Sequence, residues 1–155
     1  MTEIVQAKPE DIDAIIADIY PVYFAESPTY NFLTPDLENT RLIVEQYVNG
    51  GNICLIAKDE GKVVALACAS LMRTFYKEVE CDVNMFFIAP SHRGNGLSRE
   101  LVETIVTQAE LNNAKIIYSS CFSGMGENNN NLYINLWKKF GFQVLGTVMI
   151  RGKNV

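Results

Sequence analysis

Apolar residues recur along this chain in two rhythms, and the switches between them divide it into strands and helices. Glu3–Ala7 reads as a short strand. Pro9 then opens a helix, with Glu10 and Asp11 in the first turn and Ile12, Ile15, Ile16 and Ile19 forming its buried stripe. A second helix is expected over Asp36–Val48, with Leu37, Arg41, Val44 and Val48 on one side. Asn52–Ala57 and Val63–Ser70 read as strands joined across Asp59-Glu60-Gly61, a hairpin signal. Cys81–Ile88, rich in β-formers and bounded by Pro90, is a further strand. Leu97, Leu101, Ile105 and Ala109 then recur every fourth residue beside Val102 and Val106. Arg99, Glu100, Glu103, Thr107 and Glu110 take the other side, as in an amphipathic helix. Lys115–Phe122 is the next strand and Ser123–Asn129 a polar loop. Leu132, Tyr133, Leu136, Trp137 and Phe140 share one face of a last helix. Gln143–Arg151 is a final strand, with a kink expected at Gly146.

The junction between the Cys81–Ile88 strand and the long helix carries the most chemistry. Ile88-Ala89-Pro90-Ser91-His92-Arg93-Gly94-Asn95-Gly96-Leu97-Ser98 reads as a strand end, a glycine-rich turn and a helix start. Such a turn aims several backbone N–H groups at one spot in front of a helix N-terminus, where phosphate oxygens bind. Gly94 and Gly96 let an anion approach the backbone and tolerate positive φ. The G-x-G spacing lacks the third glycine of a dinucleotide fingerprint, and no Gly-Lys-Ser/Thr follows, so neither a Rossmann turn nor a Walker A loop is present. His92 reads as a solvent-exposed turn residue.

These residues resemble the acetyl-CoA motif of the GNAT N-acetyltransferase superfamily, apolar-x-Pro-x-x-Arg/Gln-x-x-Gly-x-Gly/Ala. Only the last slot departs, with Ser98 for Gly or Ala. A second family motif, Asn, then Ala, then Leu-Tyr-x-Lys-x-Gly-Phe, is matched at Asn130, Leu136, Lys139, Gly141 and Phe142. Tyr133 stands where Ala is usual and Trp137 where Tyr is usual. The resemblance implies one domain over residues 1–155 with an α/β (α+β) fold. A central mixed, mostly antiparallel twisted sheet of about six to seven strands would be flanked by about four helices and splayed at the acetyl-CoA site. It also implies an acetyl-CoA-dependent N-acetyltransferase acting by direct attack in a ternary complex. Main-chain atoms of Phe86, Phe87 and Ile88 would meet the pantetheine arm. The N–H groups of Arg93, Gly94, Asn95, Gly96, Leu97 and Ser98 would hold the pyrophosphate. Asn130 and Trp137 complete the expected cofactor contacts.

An amine must lose a proton before it attacks a thioester. If strand pairing stays regular, Glu80, Asp82, Asn84, Phe86 and Ile88 share the face toward the cleft, while Cys81, Val83, Met85 and Phe87 face the core. Asp82 is the first choice of base and Glu80 the second. In many family members the Tyr of Leu-Tyr-x-Lys protonates the departing thiolate. Trp137 cannot serve as that acid, because an indole N–H donates hydrogen bonds without ionising usefully. Tyr133, one turn earlier, is the candidate replacement. The aromatic segment around Tyr23, Phe24, Glu26 and Tyr30 is the expected acceptor pocket, with ordinary core packing as the competing reading.

Composition narrows the partners. A chain of 155 residues with net charge −5 disfavours a general nucleic-acid surface and suits a cationic amine. The acceptor stays open between a small molecule, a protein N-terminus and a lysine. A second reading, an acyl-CoA-binding or protein-interaction module that transfers nothing, is favoured by Trp137 and Ser98. No apolar run approaches the roughly 20 residues of a membrane span. Met1-Thr2-Glu3-Ile4 shows no signal peptide, and Cys54, Cys68, Cys81 and Cys121 lack metal spacing. A cytoplasmic, metal-free protein with reduced cysteines is therefore expected. Thirteen residues follow Phe142, which is room for one full strand. An uncovered sheet edge there would suit a homodimer contact.

Overall fold

The structure is a computed structural model that describes residues 2–26, 33–119 and 127–146. Its strands are β1 (Glu3–Gln6), β2 (Ile53–Asp59), β3 (Lys62–Met72), β4 (Val79–Ile88) and β5 (Ala114–Ser119), paired in that order in one sheet. Neighbours are antiparallel except β4 and β5, which run parallel. The sequence reading expected six to seven strands, and five are present among the described residues. Its last strand, Gln143–Arg151, has no strand structure over Gln143–Gly146, and the remainder lies outside the described residues.

The central strands are apolar on both sides because helices cover both faces. Residues 53–57 and 63–69 are buried without a break. Their hairpin turns at Glu60 and Gly61, with φ of 48° and 81° between the paired Asp59 and Lys62. Two left-handed residues match the twist of the flanking strands, which is the physics behind the hairpin signal. On one face lie α1 (Ile12–Asp18), α2 (Tyr20–Glu26) and α3 (Leu37–Asn49). Pro9–Asp11 forms a 3₁₀ turn ahead of α1. Ile12, Ile15, Ile19, Tyr20 and Val44 pack from these helices onto Cys54, Ile56, Leu66, Cys68 and Phe87. Asp36 caps α3, its Oδ1 accepting from Asn39 N at 3.0 Å. Of the residues grouped on one side of α3, Val44 is buried, together with Thr40, while Leu37 is 55% exposed.

The other face is covered by α4 (Leu97–Leu111), the crossover joining parallel β4 and β5, and by α5 (Glu127–Lys138). Leu97, Leu101, Val102, Ile105 and Ala109 of α4 pack with Trp137 of α5 against Leu55, Ala67, Cys81, Val83 and Ile88. The sequence reading left Glu127–Asn129 in a polar loop, but α5 already begins at Glu127. Among the described residues no helix is long and apolar enough to cross a membrane.

One irregularity decides where the chemistry sits. Met85 pairs with Cys68, and the next pair along β3 is Ala69 with Val83, so Asn84 is an extra residue in β4. Side-chain alternation is reversed across it. Cys81 and Val83 before the bulge, and Phe86 and Ile88 after it, belong to the core under α4 and α5. Met85 and Phe87 belong to the core under α1–α3. The expected single face of Glu80, Asp82, Asn84, Phe86 and Ile88 is therefore corrected. Glu80 and Asp82 lie opposite Phe86 and Ile88, because regular period-two alternation does not survive an inserted residue.

Candidate active site

A fork opens where β4 and β5 part. Their pairing runs from Val79↔Ala114 to Val83↔Ser119, while β4 continues to Ile88. Among the described residues no strand pairs with Asn84–Ile88 on that side. The edge that the described strands leave unpaired includes Phe86, Phe87 and Ile88, three of the expected pantetheine contacts.

Beyond Ile88 the chain makes a 3₁₀ turn over Pro90–His92 and then the glycine turn. Gly94 and Gly96 have φ of 81° and 93°, and nothing lies within 4 Å of a Cβ built on either. A side chain there would be strained by the backbone, in open space. Not every expected amide is available. Arg93 N donates to Pro90 O, and Leu97 N to Asn95 Oδ1 at 3.2 Å. The amides of Gly94, Asn95, Gly96 and Ser98 have no acceptor among the described residues. That leaves four unspent donors at the N-terminus of a fifteen-residue helix, the donor set a diphosphate takes up. The open fork and this turn, at opposite ends of one strand edge that the described residues leave unpaired, fit acetyl-CoA.

Arg93 fixes the turn from behind. Its Nε donates to Ile88 O at 2.8 Å, its Nη2 lies 2.5 Å from Glu26 Oε2, and its guanidinium sits 5.5 Å above the Phe87 ring. Glu26, expected beside a cationic acceptor, is engaged by this guanidinium at the end of α2. His92, expected to be exposed, is half-buried. Its Nε2 lies 3.2 Å from Asp59 Oδ2, which ties the turn to the β2–β3 hairpin. The His92 hydrogen bond holds the Asp59 carboxyl below its ordinary value.

The carboxylates sit on the α1–α3 face, at the base of the fork. Glu80 is 7% exposed, and its Oε1 accepts from Thr74 Oγ1 at 2.5 Å. Tyr118 of β5 stands across from Asp82 in the register. Burial, then the Glu80 charge, pushes its phenol above its ordinary value. Asp82 is half-buried, and its Oδ2 accepts from Asn84 Nδ2 at 3.1 Å. Asn84 Oδ1 in turn accepts from Tyr47 OH at 2.8 Å and Ser70 Oγ at 2.9 Å. Partial burial lifts the Tyr47 phenol as well. The bulge thus hangs a chain of polar groups between Asp82 and α3. Sequence reasoning missed Tyr118, Tyr47, Ser70 and Thr74, which gather only once the strand register is known. Cys81, adjacent in sequence, is no nucleophile. Burial, and then the Asp82 charge, push it up to about 11, so it stays a thiol at neutral pH.

Tyr23 and Phe24 are half-buried and pack against the core under α1–α3. The Tyr23 ring meets Phe87 edge-on at 5.6 Å and Phe24 at 5.7 Å. Tyr30 lies outside the described residues. On the opposite face, Tyr133 OH lies 2.8 Å from Ser119 Oγ, at the last β4–β5 pair. Its ring and that of Trp137 each sit 5.7 Å from Phe86. Asn130 lies in the first turns of α5. The structure therefore brings Phe86, Tyr133 and Trp137 together under the fork and keeps Asp82 and Glu80 above it.

The family model for acetyltransferases of the GNAT family matches residues 12–142. The chain belongs to the GNAT family. Over 101 residues this GNAT protein is 31% identical to spermine/spermidine N(1)-acetyltransferase of Bacillus subtilis (strain 168). The match covers 62% of each chain, so it spans less than two thirds of that relative's length. The fold is similar to that of aminoglycoside N-acetyltransferase AAC(6')-Iy in complex with CoA, with a TM-score of 0.74 at 13% identity, covering 100% of this chain and 96% of that one. It is also similar to ribosomal-protein-alanine N-acetyltransferase from Brucella melitensis, with a TM-score of 0.72 at 23% identity, covering 93% and 86%. At these identities the two solved structures carry the fold.

Proposed function

We propose that this GNAT protein transfers an acetyl group from acetyl-CoA to a primary amine of a cationic small molecule of the polyamine kind. The carrying observation is the continuous edge from the β4–β5 fork to four unspent amides at the start of α4. Bound acetyl-CoA would supply an acetyl group activated as a thioester. The backbone of Phe86, Phe87 and Ile88 positions the pantetheine arm, and the turn from Gly94 to Ser98 grips the diphosphate. Asp82 takes the proton of the acceptor ammonium, directly or through water. An alkyl ammonium, with a pKa near ~10, is unreactive until that proton leaves. Glu80, fixed by Thr74, adds negative charge that draws a cation to the same place. Tyr133, whose hydroxyl lies 2.8 Å from Ser119 Oγ and whose ring stands beside Trp137, would protonate the departing thiolate.

The acceptor class rests on the likeness to the Bacillus polyamine enzyme and on the paired carboxylates. A second reading keeps the donor site without transfer, as an acyl-CoA-binding module. It is favoured by Trp137 in place of the family tyrosine. The test is isothermal calorimetry with acetyl-CoA beside a thiol-release assay over spermidine, other diamines, aminoglycosides and peptide N-termini. Binding with turnover on polyamines supports the proposal. Binding without turnover on any amine supports the second reading, and no binding at saturating acetyl-CoA overturns both.

A further inference from the structure

Asn84, the residue that the bulge adds to β4, lies between the proposed base and α3. Its carboxamide has two unlike ends, and both are engaged. Nδ2 donates to Asp82 Oδ2 at 3.1 Å, while Oδ1 accepts from Tyr47 OH at 2.8 Å and Ser70 Oγ at 2.9 Å. Turned over, the group would set its oxygen against the Asp82 carboxylate, which can only accept. The two hydroxyl donors therefore hold the carboxamide the right way round. Tyr47 is well placed for this. It lies one turn after Val44, which is 0% exposed, on the inner side of α3. The end of that helix is tied to the sheet by Asn52, whose Nδ2 donates to Gln46 O at 3.4 Å and whose Oδ1 accepts from Leu71 N at 3.1 Å. Because burial lifts the Tyr47 phenol, it keeps its proton and remains a donor at neutral pH.

We propose that Tyr47 is a positioning residue for acetyl transfer, acting on Asp82 through the Asn84 carboxamide. This rests on the reading of Asp82 as the base and adds α3 to that base's support. Held in this way, Asp82 spends Oδ2 on Asn84 and presents Oδ1 to the acceptor ammonium. Tyr47 takes no proton in the reaction. Its hydroxyl fixes the orientation of a neighbour that fixes the base, so less of that ordering is left to the moment of reaction.

A double-mutant cycle on thiol release, with spermidine as acceptor, reads this coupling. Tyr47→Phe keeps the ring against the core and removes only the hydroxyl. Alone, it lowers kcat/KM about 2- to 10-fold, the worth of one hydrogen bond, while calorimetric affinity for acetyl-CoA holds. In an Asp82→Asn background it costs nothing further. Losses that multiply, or parent-like kinetics in the single variant, overturn the inference and leave the reading of Asp82 standing. Parent-like kinetics in Asp82→Asn overturn that reading itself. A second measurement needs no acceptor. The Asn84 side-chain NH₂ pair, assigned by its loss in Asn84→Asp, is followed by ¹H–¹⁵N NMR in the unliganded protein. Tyr47→Phe and Asp82→Asn both move it, each from its own end of the carboxamide, and Ser70→Ala moves it as Tyr47→Phe does. A hydroxyl that only anchors α3 would lower the urea midpoint and leave the NH₂ pair in place, which overturns the inference.

Discussion

At the scale of single residues, each candidate group has a separable signature. Asp82→Asn removes the proposed base while leaving Asn84 and its partners in place. It is expected to lower kcat/KM on the order of 10²-fold, as followed by thiol release. Parent-like kinetics would move the role elsewhere. Tyr133→Phe keeps the ring against Phe86 and Trp137 but removes the hydroxyl bonded to Ser119. Turnover should fall while calorimetric affinity for acetyl-CoA holds, and parent-like kinetics would discard Tyr133 as the acid. Gly96 has φ of 93° with open space around it, so Gly96→Ala meets a backbone penalty and no clash. The expected loss is about 1–2 kcal/mol, read from the urea midpoint. These glycines were legible in the sequence because their requirement is local. The partner of Arg93 was not, because Glu26 lies 67 positions away and only the folded chain brings it near.

Among elements, the hairpin, α4 and β4 were legible because each rests on short-range periodicity or turn chemistry. The bulge was not. A strand of β-formers looks the same with or without an extra residue, and Asn84 shows itself only through its neighbours' register. For the same reason the assignment of Asp82 and Glu80 to one side was sound up to the bulge, and that of Phe86 and Ile88 to the same side was not. The link between α2 and the glycine turn yields a prediction at this scale. Glu26→Gln leaves Arg93 bonded to Ile88 O but weakens its hold on the helix. A partly exposed pair of this kind is worth a few tenths to about 1 kcal/mol, so acetyl-CoA affinity should drop roughly 2- to 5-fold in low salt, with a smaller gap in high salt. Equal affinity in both proteins would detach α2 from the donor site.

Over the whole molecule, the sheet is fastened near its first edge by a charge pair. Lys58 of β2 bonds Asp11 at 2.5 Å, and the Lys8 amide adds a second bond to that carboxylate. Burial alone would raise the Asp11 carboxyl. The Lys58 bond and charge, with the Lys8 amide, outweigh burial and hold it below 3.8. A carboxyl lowered in the folded state contributes stability that is present above its unfolded value and lost as pH falls through the folded one. Lys58→Met removes the main lowering partner, so its acid unfolding limb should move to higher pH by circular dichroism. An unmoved limb would assign the acid sensitivity to other groups. The extra residue at position 84 has a further consequence. Because it alone of residues 80–88 has no partner on β3, its loss would let Met85 follow Val83 in regular pairing, opposite Cys68 and Ala69. Phe86 and Ile88 would stay toward α4 and α5, and the carboxamide that joins Asp82 to Tyr47 would be gone. Position 84 is thus where this strand could be shortened by one codon without turning its aromatics over.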